Sequence, residues 1–290
     1  MRMERLLYSQ FLTQRTRVTG GCGVPPRLEN GGAYVGASSI PLLAEGAAFT
    51  TAEEYNRIVA SASCTTGNGI YIVGQFQNDP VSFYGAQSPT VVDVHTANNG
   101  TNSINAGDGM DIITLGGGAN TVNAGADGDS ITATAGVNSI DGGAGTNTIS
   151  LSGGTNTVIT GADNDTLTAS SGNNTVDAGD GVNTITLSGG SNSVVAGAGN
   201  DAFSLTNGTN IVNAGNGTNT ITLNNGTNTV TTGTGADTIT ASSGTNSINA
   251  GDGIDIITLS GGANTVRSGA DGDSITATSG TNSIDGGAGT

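Results

Sequence analysis

The chain of 290 residues has no lysine, no tryptophan, one histidine, two cysteines and ten aromatic side chains. Seven arginines face 23 acidic residues, for a net charge of −16. That balance excludes the clustered basic surface that nucleic acid or an anionic membrane demands, and it favours cations as ligands. No stretch approaches the ~18 consecutive apolar residues of a membrane-spanning helix. Near the N-terminus, Leu6 to Leu12 is interrupted by Tyr8, Ser9 and Gln10, which makes a poor secretory signal. Cys22 and Cys64 can pair or stay free, but two thiols cannot frame a metal site. The scarcity of aromatics excludes an ordinary globular core. Glycine is instead abundant, at 50 positions, well above its usual share of about 7%. Such a bias signals disorder unless the glycines recur at a fixed interval.

They do recur, and only in one part of the chain. Residues 1–99 carry seven acids and six arginines, a net of −1; residues 100–290 carry sixteen aspartates against Arg267 alone, a net of −15. The second part has no proline, cysteine or tyrosine, and its one phenylalanine is Phe203. The composition thus divides the chain into a head, residues 1–99, and a repeat region, residues 100–290.

Within the repeat region an apolar residue stands at every ninth position from Ile104 through Ile113, Val122 and Ile131 to Ile284, 21 times without an insertion. Two kinds of nonapeptide alternate. Ala106–Thr114 reads AGDGMDIIT and Leu115–Asn123 reads LGGGANTVN, so the unit is 18 residues long. A longer period also exists: residues 100–146 match 244–290 at 41 of 47 positions, 144 residues apart. Because the second copy stops within a loop, we expect the chain to be a fragment of a longer repeat array or an incomplete reading frame.

The local chemistry selects strands. In Asp111–Leu115, Ile113 and Leu115 share one face and Ile112 and Thr114 the other. β-Branched residues favour the extended backbone, and Gly-x-Gly steps such as Gly107 and Gly109 permit tight reversal. Gly and Thr in every window exclude helices. The expected fold is all-β: a right-handed parallel β-roll, or β-solenoid, of about ten coils of 18 residues, with two facing sheets and a small mixed N-terminal cap. One coil cannot bury its apolar residue alone, but stacked coils bury a continuous stripe. The residue two past each anchor, such as Leu115, Ala133 or Leu151, sets the core width.

The nonapeptide resembles G-G-x-G-x-D-x-U-x, the mark of the calcium-binding RTX (hemolysin-type) β-roll of secreted bacterial toxins, proteases, lipases and adhesins. Ala106–Thr114 and Ala250–Thr258 fit it with alanine in place of the first glycine. The resemblance implies Ca²⁺ held between stacked loops by turn carbonyls and by the sixth-position aspartates. These fall on Asp111, Asp129, Asp165, Asp201, Asp237, Asp255 and Asp273, with asparagine at 147, 183 and 219. A cage of six to eight oxygens suits this hard ion. Junctions with aspartate on both sides, namely 111/129, 237/255 and 255/273, rank first; the six junctions pairing Asp with Asn should bind more weakly. Asp108 and Asp252, with Asp127, Asp163, Asp180 and Asp271, lie in the same loops as further ligands or as sources of negative potential.

The opposite edge departs from the family pattern. Its sixth position is Asn in every coil, from Asn102 and Asn120 to Asn282, which suggests a stacked, hydrogen-bonded amide ladder free of metal. In the head, residues 51–61 suggest a short helix, and 69–76 and 91–94 suggest strands. His95 reads as a surface or capping residue, and residues 1–99 show no nucleophile–base pair or phosphate loop. The expected role is therefore a secreted, calcium-stabilised structural or adhesive segment without enzymatic activity. Its partners would be calcium ions and cell-surface or matrix components, and the resemblance implies type I secretion. Two other readings stand beside it: the accessory roll of a larger secreted enzyme or toxin, and a metal-free asparagine-ladder solenoid with an ice- or carbohydrate-binding face.

Overall fold

The computed structural model describes residues 99–289 and three upstream strands, β1 (Tyr71–Gly74), β2 (Val81–Tyr84) and β3 (Val94–Ala97). The helix expected at 51–61, both cysteines and the rest of the head lie outside the described residues. From β4 (Thr101–Asp108), β5 (Ile112–Leu115) and β6 (Ala119–Ala126) onward, strands follow one another in the same alternation. The last two are β23 (Ser274–Ala277) and β24 (Thr281–Asp285). Odd-numbered strands form one sheet of twelve and even-numbered strands another.

The pairing is parallel, and from β3 onward each residue meets its counterpart 18 positions later: Val94 with Ile112, Asn102 with Asn120, Ile113 with Ile131, Val266 with Ile284. This is a parallel β-solenoid of 18-residue coils, as the repeat period requires. The first winding is longer, since Tyr71 pairs with Val94 and Val81 with Asn102, offsets of 23 and 21 positions. Strands β1 to β3 therefore join the same two sheets from upstream of residue 98. The strand expected at 69–76 is present as β1. The one expected at 91–94 runs later, as Val94–Ala97, and β2 was not foreseen.

Alternation along each strand sends every second residue inward. Each coil supplies six inward positions, seen in one winding as Asp111, Ile113, Leu115, Asn120, Val122 and Ala124, all buried. The anchor column runs unbroken through Phe203, and the width column alternates Leu115, Ala133, Leu151, Ala169, Leu187, all at most 1% exposed. His95 belongs to this anchor column, paired with Ile113 and fully buried. It is thus an interior residue and not a surface one; the ninefold apolar count missed it because histidine is polar. Burial lowers its pKa to about 4, so the ring is neutral there.

The two edges differ in width. The turn from odd to even strand takes three residues, as between Leu151 and Thr155, whereas the loop from even to odd strand takes six, as between Asp141 and Thr148. Backbone hydrogen bonding continues through the narrow turn: the Val137 N–H donates to the Gly118 carbonyl and the Thr155 N–H to that of Gly136, both at 2.8 Å. Gly118, at φ +86°, sits so close to the winding before it that a Cβ would overlap the Gly100 carbonyl oxygen. Only glycine meets both conditions.

Candidate metal centre

The sixth-position residue closes the wide loop just before an odd strand. Extended geometry turns it inward, in line with the anchor two residues later. Asp111, Asp129, Asp165, Asp201, Asp237 and Asp255 are all buried, as are Asn147, Asn183 and Asn219. Asp273, in the last described winding, is half-buried. The seven sixth-position aspartates therefore share one column with three asparagines. Asp108 is half-buried in the wide loop and Asp252 is exposed there.

One bond organises this column. The backbone N–H of each member donates to the side-chain Oδ1 of the member one winding on. Asp111 donates to Asp129 at 2.7 Å, Asp129 to Asn147 at 2.9 Å, Asn147 to Asp165 at 2.7 Å and Asp165 to Asn183 at 2.9 Å. The chain continues through Asn183 to Asp201, Asp201 to Asn219, Asn219 to Asp237, Asp237 to Asp255 and Asp255 to Asp273, at 2.7 to 3.0 Å. Aspartate and asparagine are isosteric and engage Oδ1 identically, so Oδ2 of one takes the place of Nδ2 of the other.

The asparagines show what that second atom faces. Asn147 Nδ2 donates to the carbonyls of Gly145 and Thr160, both at 3.0 Å. Asn183 Nδ2 donates to the Gly179 carbonyl at 3.4 Å, and Asn219 Nδ2 reaches the Gly215 and Gly217 carbonyls at 3.5 and 3.4 Å. The second atom therefore points at loop carbonyl oxygens. An ionised aspartate brings no hydrogen to that position. Oδ2 of Asp129, Asp165, Asp201, Asp237, Asp255 and Asp273 is sealed from solvent without a hydrogen-bond partner.

The electrostatics follow. Burial raises the pKa of Asp129 to about 7, against the backbone N–H of Asp111 and with the help of Asp127. Burial raises Asp255 to about 6, and its neighbours Asp237 and Asp273 push the same way. Asp165, Asp201 and Asp237 are also raised by burial, but each follows an asparagine whose backbone N–H and side-chain amide oppose the rise, joined by the Thr160 hydroxyl at Asp165 and the Thr232 hydroxyl at Asp237. Asp129 and Asp255 follow aspartates, and only a backbone N–H opposes their rise.

The outer loop carboxylates behave differently. Asp163 Oδ2 accepts from the Gly145 N–H at 2.8 Å, and Asp180 Oδ1 from the Ala198 N–H at 2.7 Å, so both cap backbone donors of a neighbouring winding. Asp127 and Asp271 occupy a turn position held by glycine in most windings, at φ +75° and +79°. Sequence reasoning missed the buried hydroxyls that replace alanine where the wide loop begins. Thr160 donates to the Ala178 carbonyl at 2.9 Å, Ser268 to that of Gly286 at 2.9 Å, and Thr232 to that of Ala250. The signal was present in the break of an otherwise small, apolar column.

On the narrow edge the amide ladder is present. Asn102 Nδ2 donates to Asn120 Oδ1 at 2.6 Å, and the relay runs winding by winding through Asn138, Asn156, Asn174, Asn192, Asn210, Asn228, Asn246 and Asn264 to Asn282, at 2.7 to 2.8 Å. The same nitrogens reach the carbonyl three residues back, as from Asn192 to Gly189 at 3.0 Å. This edge satisfies itself.

A hard, oxygen-seeking cation fits the wide edge, since Oδ2 of Asp129, Asp255 and Asp273 is buried without a hydrogen-bond partner in the column where the asparagine amides reach loop carbonyls. Among the described residues no three His, Cys, Asp or Glu side chains gather at one point, so carbonyls would have to complete the oxygen set. No curated protein and no solved structure matches the chain. A family model for the RTX calcium-binding nonapeptide repeat matches residues 96–131, 124–158, 152–185, 186–221, 222–257 and 258–290 in succession. By its repeat, its parallel two-sheet roll and these matches, the chain belongs to the RTX calcium-binding nonapeptide repeat family.

Proposed function

We propose that this chain is a secreted roll whose wide edge binds Ca²⁺ and which serves as a structural or adhesive segment, not a catalytic one. The observation that supports it is the sealed second oxygen of Asp129 and Asp255, which has no hydrogen-bond partner. The ligands in this reading are Asp111, Asp129, Asp165, Asp201, Asp237, Asp255 and Asp273 with the turn carbonyls, while Asp108 and Asp252 lie at the loop surface. A bound Ca²⁺ supplies positive charge and an oxygen-coordination shell. The carboxylates give it a site only when stacked, so binding and folding are one event. In a compartment poor in calcium the acidic windings stay loose, and outside the cell they close. Export by a type I route and docking to surface or matrix components belong to the same reading.

The narrow-edge amide ladder favours a second reading, a metal-free solenoid held by side-chain hydrogen bonds alone. Calorimetric titration of the full chain with CaCl₂, with circular dichroism in parallel, separates the two. The calcium reading expects binding heat accompanied by a gain of strand signal. Absence of heat, with an identical spectrum in chelator, would establish the metal-free solenoid.

A further inference from the structure

We infer that Asn147, Asn183 and Asn219 are built-in substitutes for the cation, dividing one continuous roll into metal-demanding ends and a metal-sparing centre. This rests on the calcium reading and concerns where along the roll the ion is needed.

The side-chain amide of each asparagine delivers hydrogens to wide-loop carbonyls that an aspartate would face with bare oxygen. Asn147 reaches furthest, because its donation to the Thr160 carbonyl joins its own loop to the start of the next. The order of residues along the column then matters. It reads Asp111, Asp129, Asn147, Asp165, Asn183, Asp201, Asn219, Asp237, Asp255, Asp273. From Asp129 to Asp237 acid and amide alternate strictly, so no two carboxylates are adjacent there. Adjacent carboxylates occur only near the two ends, at 111/129 and across 237, 255 and 273. At 237/255 and 255/273 the Oδ1 of the later acid accepts the backbone N–H of the earlier one, which fixes the carboxylates in one file. Like charges in such a file repel strongly in a low dielectric, and no amide intervenes. The centre meets its own hydrogen-bonding demand at every second winding. The ends do not.

Hydrogen exchange read by mass spectrometry on the full chain, in CaCl₂ and then in chelator, tests this. Chelation should lower protection about tenfold or more in windings carrying Asp111–Asp129 and Asp237–Asp273, and leave the Asn147–Asn219 windings within about twofold. Uniform loss along the whole roll would overturn the inference while leaving the calcium reading intact. Uniform protection in chelator would overturn the calcium reading itself. Asn183→Asp should make the windings from Asp165 to Asp201 chelator-sensitive, and an unchanged centre in that variant would overturn the proposal. Should N183D fail to fold even in calcium, Asp255→Asn gives the reverse test, since its C-terminal windings should lose chelator sensitivity.

Discussion

The backbone N–H of Asp237 donates to the Oδ1 of Asp255 across one winding, at 2.8 Å, and so presents two buried carboxylates in register along the solenoid. Parallel pairing repeats this relationship at every winding. An interaction satisfied once is satisfied along the column, and an unmet one recurs in the same way.

The first consequence concerns Asp129. Replacing it with asparagine keeps the Oδ1 bond to Asp111 and supplies hydrogens where the carboxylate has none. In chelator at neutral pH, Asp129→Asn should stabilise the roll by about 1–3 kcal/mol, the scale of a relieved buried acceptor. In saturating calcium the gain should shrink or reverse. Urea denaturation in the two buffers measures both.

Acidity should act with an unusual sign on the metal-free protein. Asp129 and Asp255 are raised from 3.8 to about 7 and about 6, so between those limits the folded chain keeps protons that the unfolded chain has released. Stability in chelator should be greatest near pH 4 and fall as pH rises through 6 to 7. With calcium present the trend should turn over, because protons compete with the cation for the same oxygens. Thermal melts across this range, with and without calcium, would show the crossing; a chelated protein that gains stability as pH rises would contradict it.

The narrow edge should be indifferent to metal. Asn174→Ala removes the donation to Asn192 at 2.7 Å and deprives Asn156 of its acceptor. A loss of about 1–3 kcal/mol is expected, equal in calcium and in chelator, by denaturant unfolding. A calcium-dependent loss would mean the two edges are coupled.

Backbone fit gives a further test. Gly125 has φ +115° and lies so close to the winding before it that a Cβ would overlap the Gly107 carbonyl oxygen. Gly125→Ala should cost more than about 1 kcal/mol. Because each repeat contacts only its neighbours, exchange protection should fall in the adjoining windings and hold near Leu205. Loss of protection along the whole roll would show cooperativity beyond nearest neighbours.

Much of this was legible in the residues because a solenoid converts period into register. The ninefold spacing from Ile104 to Ile284 fixed the 18-residue pairing and the buried column, and the invariant asparagine foretold the ladder, since an amide complements its own copy. β2 escaped notice because the first winding is longer than 18 residues, and His95 because the anchor at that position is polar. The part played by Asn147, Asn183 and Asn219 was also hidden. Spacing equates them with aspartate, and only the direction of Nδ2 reveals that they satisfy carbonyls that aspartate cannot.

The constant 18-residue register makes the rod's length a matter of whole units. Excising one complete winding rejoins like strand to like strand and leaves both files of side chains continuous, whereas excising nine residues brings the amide file into line with the carboxylate file and exchanges the two flanks beyond the junction. Genetic gain or loss in multiples of 18 codons would thus lengthen or shorten the molecule while preserving its sidedness, and the near-copy of residues 100–146 at 244–290 keeps that rule.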